Sequence, residues 1–139
     1  MDRRLFLASG PALALAATLP GALRAAEIDY APGLIGERLD RGEVLLLDFF
    51  APWCTTCAAQ QRVIEKLKAE NPAYGRAITF IKVDWDTYGQ AQFARRMRIP
   101  RRSTLVVLKG KDELGRLVAE TRESQIRALL DTALAAAGS

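Results

Sequence analysis

Two hydrophobic rhythms alternate along this chain. Residues 44–50, Val44-Leu45-Leu46-Leu47-Asp48-Phe49-Phe50, form a near-continuous apolar run broken by one acid. Seven residues are too few for an independent helix and suit a strand buried on both faces. Residues 78–83 repeat the pattern with Lys82 as the interruption, and residues 104–108 supply a third run. Residues 113–120 alternate enough to pair as a fourth strand, reached through the turn-forming Lys109-Gly110-Lys111-Asp112. Between the strands the spacing becomes helical. Leu34, Ile35 and Leu39 share one side of a helix over residues 32–41, which Gly42 can close. Ala59, Val63, Ile64 and Leu67 mark a second over residues 58–70, stopped by Asn71-Pro72. Thr87 is placed to cap a third over residues 88–97, with Gly89 weakening its first turn. Thr121 is placed to cap the last, whose stripe is Ile126, Leu129, Leu130, Ala133 and Leu134.

That order is helix, strand, helix, strand, helix, strand, strand, helix. The alternating part demands a parallel strand pair with a crossover helix, and the turn at Gly110 gives an antiparallel hairpin. The expected fold is therefore α/β, with a central mixed sheet of about four strands flanked by helices. Residues 99–103, Ile-Pro-Arg-Arg-Ser, read as a loop leading into the third strand.

Composition narrows the setting. The chain has 139 residues, half of them hydrophobic and 26% charged. That suffices for one domain with a real core and is too little for two of ordinary size. The formal charge is +4. Arg3, Arg4 and Arg24 against Asp2 place +2 of it in residues 1–26, which leaves +2 for the rest. So small a balance gives no case for nucleic acid, whose phosphates require clustered basic charge. The one cluster, Arg95, Arg96, Arg98, Arg101 and Arg102, suits a solvated helix end and loop better than a patch for an acidic partner.

Residues 1–26 have a short charged start, an apolar stretch over residues 12–19 and small residues at Ala22, Ala25 and Ala26. This is the three-part form of a secretory signal, and its core is too short to span a bilayer. Arg3-Arg4-Leu5-Phe6-Leu7 also resembles a twin-arginine signal, so both export routes stay open. The expected organisation is a signal over residues 1–26 and one domain over residues 27–139, with no membrane span in the mature protein.

The candidate chemistry lies at the end of the first strand. Cys54 and Cys57 are the only cysteines, and there is no histidine. Their spacing suits a reversible small disulfide ring or half of a tetrahedral metal site. A complete metal site within one chain would need carboxylate or solvent ligands, so the redox reading leads, with no metal or cofactor. Asp48 is the anomaly, because a carboxylate in an apolar strand is costly to bury unless neutral or paired.

Residues 48–57, Asp-Phe-Phe-Ala-Pro-Trp-Cys-Thr-Thr-Cys, together with this strand order, resemble thioredoxin over residues 32–134. Ile81-Lys82-Val83-Asp84 is similar to the family's next strand, whose lysine lies near the buried acid. The resemblance implies a thioredoxin-like three-layer sandwich. It makes Cys54 the attacking thiol, Cys57 the resolving thiol, Trp53 a flanking surface aromatic, and Asp48 with Lys82 a proton-handling pair. Cys54 would then lie at a helix start, where free backbone N–H groups and the dipole stabilise a thiolate, with Thr55 and Thr56 as further hydrogen-bond donors. Cys54 is the thiol expected to be exposed, and Cys57 the buried one.

Two departures from the family pattern stand out. Thr55-Thr56 replaces the Gly-Pro common in its reductases and the histidine-containing pair common in its oxidases, which implies a couple closer to a reductase. The family's cis-proline, opposite the cysteines and followed by Thr, has two candidate positions. Either Pro100 fills it with a longer approach to the strand, or Ser103 stands there before Thr104. The gap-free match of Thr104-Leu105-Val106-Val107-Leu108-Lys109 favours Ser103. Pro100, Ser103 and Thr104 are thus candidate substrate-contacting or supporting residues.

The function implied is a periplasmic, monomeric thiol–disulfide oxidoreductase that reduces disulfides in exported proteins. It would draw electrons from a membrane-bound donor, because an oxidising compartment holds no soluble reductant pool. The alternative is a redox-inactive or metal-holding thioredoxin-fold assembly module.

Overall fold

The computed structural model describes residues 27–139. Five strands form one sheet: β1 (Ile28–Asp29), β2 (Val44–Phe50), β3 (Ile78–Asp84), β4 (Thr104–Lys109) and β5 (Asp112–Val118), in the order β1-β3-β2-β4-β5. β2 and β3 run parallel, β1 is parallel to β3, and β2–β4 and β4–β5 are antiparallel. The helices are α1 (Leu34–Asp40), α2 (Thr55–Glu70), α3 (Ala73–Ala77), α4 (Trp85–Tyr88), α5 (Gln92–Arg96) and α6 (Glu123–Ala137).

β2 is the middle strand and is apolar on both faces, as its run of hydrophobic residues predicts. Val44 and Leu46 pack with Ile64 and Leu67 of α2, Tyr74 of α3, and Ile126 and Leu130 of α6. Leu45, Leu47 and Phe49 point to the opposite layer, with Ala94 of α5, Ile99 and the partly buried Leu34, Ile35 and Trp85 of α1 and α4. Leu45, Leu46 and Leu47 have no exposed surface; burying each contributes about 1.5–3 kcal/mol. Strand alternation puts Asp48 on the face of Val44 and Leu46, under α2, and the parallel register sets Lys82 beside it.

The sheet has one strand more than expected. β1 is only two residues long, too brief to leave a period in the sequence, and is held by pairing with Ile81 and Lys82. The third helix divides into α4 and α5. Asp84, not Thr87, caps α4 by accepting the Asp86 N–H at 2.9 Å, and Thr87 donates to the same carboxylate. Gly89 then ends α4: a Cβ there would lie 2.7 Å from the Trp85 carbonyl oxygen. Thr121 does not cap α6 either. Arg122 holds that position, and its N–H is met by the Glu120 carboxylate at 2.9 Å. β5 stops at Val118 because Ala119 turns to a positive φ of 54° and gives its N–H to Ser103.

Candidate active site

β2 ends against α2 in a turn that carries both cysteines. α2 begins at Thr55, three residues earlier than its apolar spacing indicates, because Cys54 is its N-cap: the Cys54 sulfur accepts the Cys57 backbone N–H at 3.2 Å. A sulfur there meets the unpaired N–H groups and positive dipole end of a 16-residue helix. Cys54 and Cys57 are joined as a disulfide, with Cα atoms 5.3 Å apart. Both residues are buried, at 5% and 4% exposure, so the expected contrast between an open Cys54 and a closed Cys57 is absent in this oxidised state. Phe50 and Ala51 pack against the pair, and the Ser103 loop closes over it.

Ser103, rather than Pro100, faces the sulfurs. Its hydroxyl lies 3.2 Å from Cys54 Sγ and 3.1 Å from Cys57 Sγ. The hydroxyls of Thr55 and Thr56, expected to assist the thiolate, form no such contact among the described residues. Pro100 is exposed in the loop before, and the described residues contain no cis peptide bond. Thr104 is buried and turns its hydroxyl back to the Arg101 carbonyl at 2.7 Å, bracing the loop rather than facing the sulfurs.

Trp53 is 60% exposed beside the disulfide. Its indole N–H donates to Asp86 at 2.9 Å, and the Arg102 guanidinium lies 4.2 Å from the ring centre. The indole is thereby held as a flat platform between α4 and the Ser103 loop.

Beneath the sulfurs lies a cavity of about 360 Å³ lined by Asp48, Cys54, Cys57, Gln61 and Lys82, among others. Asp48 is 5% exposed, and its Oδ1 is buried without a hydrogen-bond partner among the described residues. Its pKa is pushed up to about 7, chiefly by burial; Lys82 pulls it down, and Glu27 pushes it up further. The Lys82 ammonium lies 3.8 Å from Glu27 and 4.2 Å from the centre of the Phe50 ring, and it lines the same cavity as Asp48. Glu27 also accepts from the Gln61 amide.

Two residues here escaped the sequence reading. Gln60 has no exposed surface and donates at 3.0 Å to the carbonyls of both Ser103 and Glu120. Its signal was a polar residue on the buried stripe Cys57, Gln60, Ile64, Leu67. Glu27 left no signal, since it precedes the first periodic segment. Among the described residues, no three His, Cys, Asp or Glu side chains cluster as metal ligands, and no helix is long and apolar enough to cross a membrane.

A mixed sheet between two helical layers, with a paired Cys-x-x-Cys at the N-terminus of its longest helix, defines a thioredoxin-fold dithiol protein. The family model for thioredoxin matches residues 37–132, and the chain belongs to the thioredoxin family. It is similar to thioredoxin 2 of Plasmodium falciparum, 34% identical over 76 residues, a match spanning 55% of this chain. That match covers 45% of the Plasmodium protein, less than half its length. Thioredoxin of Echinococcus granulosus is 31% identical over 88 residues, covering 63% of this chain and 76% of the relative. Among solved structures, Trxlp from Edwardsiella tarda superposes with a TM-score of 0.65 at 28% identity, covering 75% of this chain and 98% of that one.

Proposed function

We propose that this protein is an exported thiol–disulfide oxidoreductase that reduces disulfides in other exported proteins of the periplasm. The observation that carries the reading is the position of Cys54: its sulfur caps α2 and accepts the Cys57 N–H, while Cys57 sits one turn inward, over the cavity that Asp48 lines.

The geometry supports a two-step exchange. In the reduced protein Cys54 ionises, because the helix end and the Cys57 N–H stabilise its anion. The Cys54 thiolate attacks one sulfur of a substrate disulfide, forming a mixed disulfide and expelling the first substrate thiolate. Cys57 then gives its proton to the Asp48 carboxylate and attacks Cys54 Sγ, expelling the second. The substrate gains two electrons and two protons, and the protein is left in the disulfide state seen here. A base for the second step must be ionised yet still basic near neutrality, which a pKa of about 7 satisfies. The cavity is wide enough for water to carry the proton between Cys57 and Asp48.

A membrane-bound thiol donor would restore the dithiol, and export would follow from the signal-like residues 1–26, which lie outside the described residues. The protein works as a monomer in this scheme. The test is a redox titration of purified protein combined with reduction of a disulfide-containing protein. Reversible two-electron behaviour with turnover is expected; metal-dependent dimerisation without turnover would favour an assembly module instead. An intact residue 1–26 segment on protein recovered from cells would contradict export.

A further inference from the structure

Ser103 is fixed unusually firmly for a loop residue. It is fully buried, with a positive φ of 63°. Its N–H donates to the Phe49 carbonyl at 2.7 Å, and its own carbonyl accepts the Ala119 N–H at 2.8 Å and the Gln60 amide at 3.0 Å. Three elements, β2, the end of β5 and α2, therefore hold one hydroxyl nearly equidistant from both sulfurs. A hydroxyl has a single proton to donate and lone pairs to accept with. Between two sulfurs it can serve only one as donor at a time.

We propose that the Ser103 hydroxyl is a catalytic hydrogen-bond switch that donates to whichever sulfur carries the negative charge. This rests on the exchange mechanism above. In the reduced protein the Cys57 S–H donates to Ser103 Oγ, and the Ser103 O–H donates to the Cys54 thiolate. That thiolate then has two donors, the hydroxyl and the Cys57 N–H, where the helix end alone would offer the backbone group. Once Cys54 is tied up in the mixed disulfide it is neutral, and the hydroxyl rotates toward Cys57 as that thiol loses its proton to Asp48. No bond is made or broken at Ser103: the proton goes to Asp48 and the electron pair to Cys54 Sγ. One side chain thus lowers the pKa of the attacking thiol in one step and of the resolving thiol in the next.

Hydrogen bonds to charged groups are strong enough to move a thiol by about one pH unit. In Ser103→Ala, alkylation of reduced Cys54 should therefore have its pH midpoint raised by about one unit. Its reduction potential should fall, by about 30 mV for a tenfold change in the exchange equilibrium. Ser103→Gly removes the same hydroxyl while relaxing the left-handed backbone, so it should shift both readouts equally. A midpoint unchanged in either folded variant, or moved in the alanine form alone, would overturn the switch. The unmutated protein supplies a readout that does not depend on folding of a variant. The Ser103 ¹³Cβ resonance should titrate with the Cys54 midpoint, and a flat resonance across that range would contradict the proposal. Wild-type turnover with unmoved variants would remove Ser103's role alone, whereas absence of wild-type turnover would remove the exchange mechanism itself.

Discussion

Two segments meet at the sulfur atoms, and they are built on different principles. The Cys54 turn is local: a strand ends, a helix starts, and the cap hydrogen bond closes over three residues. The Ser103 loop is assembled from afar, through contacts to Phe49, Gln60 and Ala119 that are distant in sequence. The first sets a sulfur against backbone dipoles, and the second places a serine hydroxyl beside it through two backbone hydrogen bonds and the Gln60 amide. In the proposed exchange the local segment decides whether the reaction occurs at all, and the assembled one would set its potential and proton timing.

Removing the local segment's chemistry should have the largest effect. Cys54→Ser should abolish reduction of a protein disulfide, while Cys57→Ser should attack once and accumulate a mixed disulfide detectable by mass spectrometry. Turnover by the Cys54→Ser protein would collapse the distinction between the two segments.

Asp48→Ala comes next, and it separates catalysis from stability. Loss of a general base should slow resolution of the mixed disulfide at pH 7 by ~10²-fold or more. Stability should move the other way. A buried acid raised from its ordinary 3.8 to about 7 stays protonated in the fold at pH values where the unfolded chain has ionised. The unfolded state then binds fewer protons, and wild-type stability falls as pH rises from about 4 to about 7 and levels off above. At ~1.4 kcal/mol per unit the loss is on the order of 4 kcal/mol. Denaturant unfolding should show the variant gaining on wild type by that order between pH 4 and pH 8. A constant difference across the range would mean that Asp48 ionises in the fold at its ordinary value and that burial does not raise its pKa.

Gln60→Ala probes the assembled segment. It deletes both amide hydrogen bonds: the Ser103 carbonyl keeps the Ala119 N–H, while the Glu120 carbonyl loses the Gln60 donor, a cost of ~1–3 kcal/mol. Amide exchange at Ser103 and Ala119 should speed up, while the Cys57 N–H that caps α2 stays protected. Pro100→Ala should have the smallest effect. Pro100 is exposed and does not face the sulfurs, so stability should change by no more than ~0.5 kcal/mol and turnover should be unaltered.

The same division explains what could be read from the chain. β2, β3, β4, α2 and α6 follow from apolar runs and stripes long enough to carry a period, and the turn at Cys54 from the residues around it. The cap lies at Asp84 rather than Thr87 because the helix starts three residues earlier, at Trp85, in a stretch too short to show a period. β1 is too short to have a pattern. The split contact of Ser103 with both sulfurs depends on where β5 ends, which a positive φ at Ala119 sets and no spacing reveals. Gln60 was missed, although a polar residue on a buried stripe is a signal; its partners left none.

The most direct test of the account is the rate of alkylation of the reduced protein as a function of pH, with the modified cysteine identified by peptide mapping. Cys54 should react first, with a midpoint well below the ~8.5 of a free thiol, and Cys57 should be protected until much higher pH. If both cysteines titrate together near ~8.5, the helix end is not activating a nucleophile, and the assignment as a thiol–disulfide oxidoreductase is wrong.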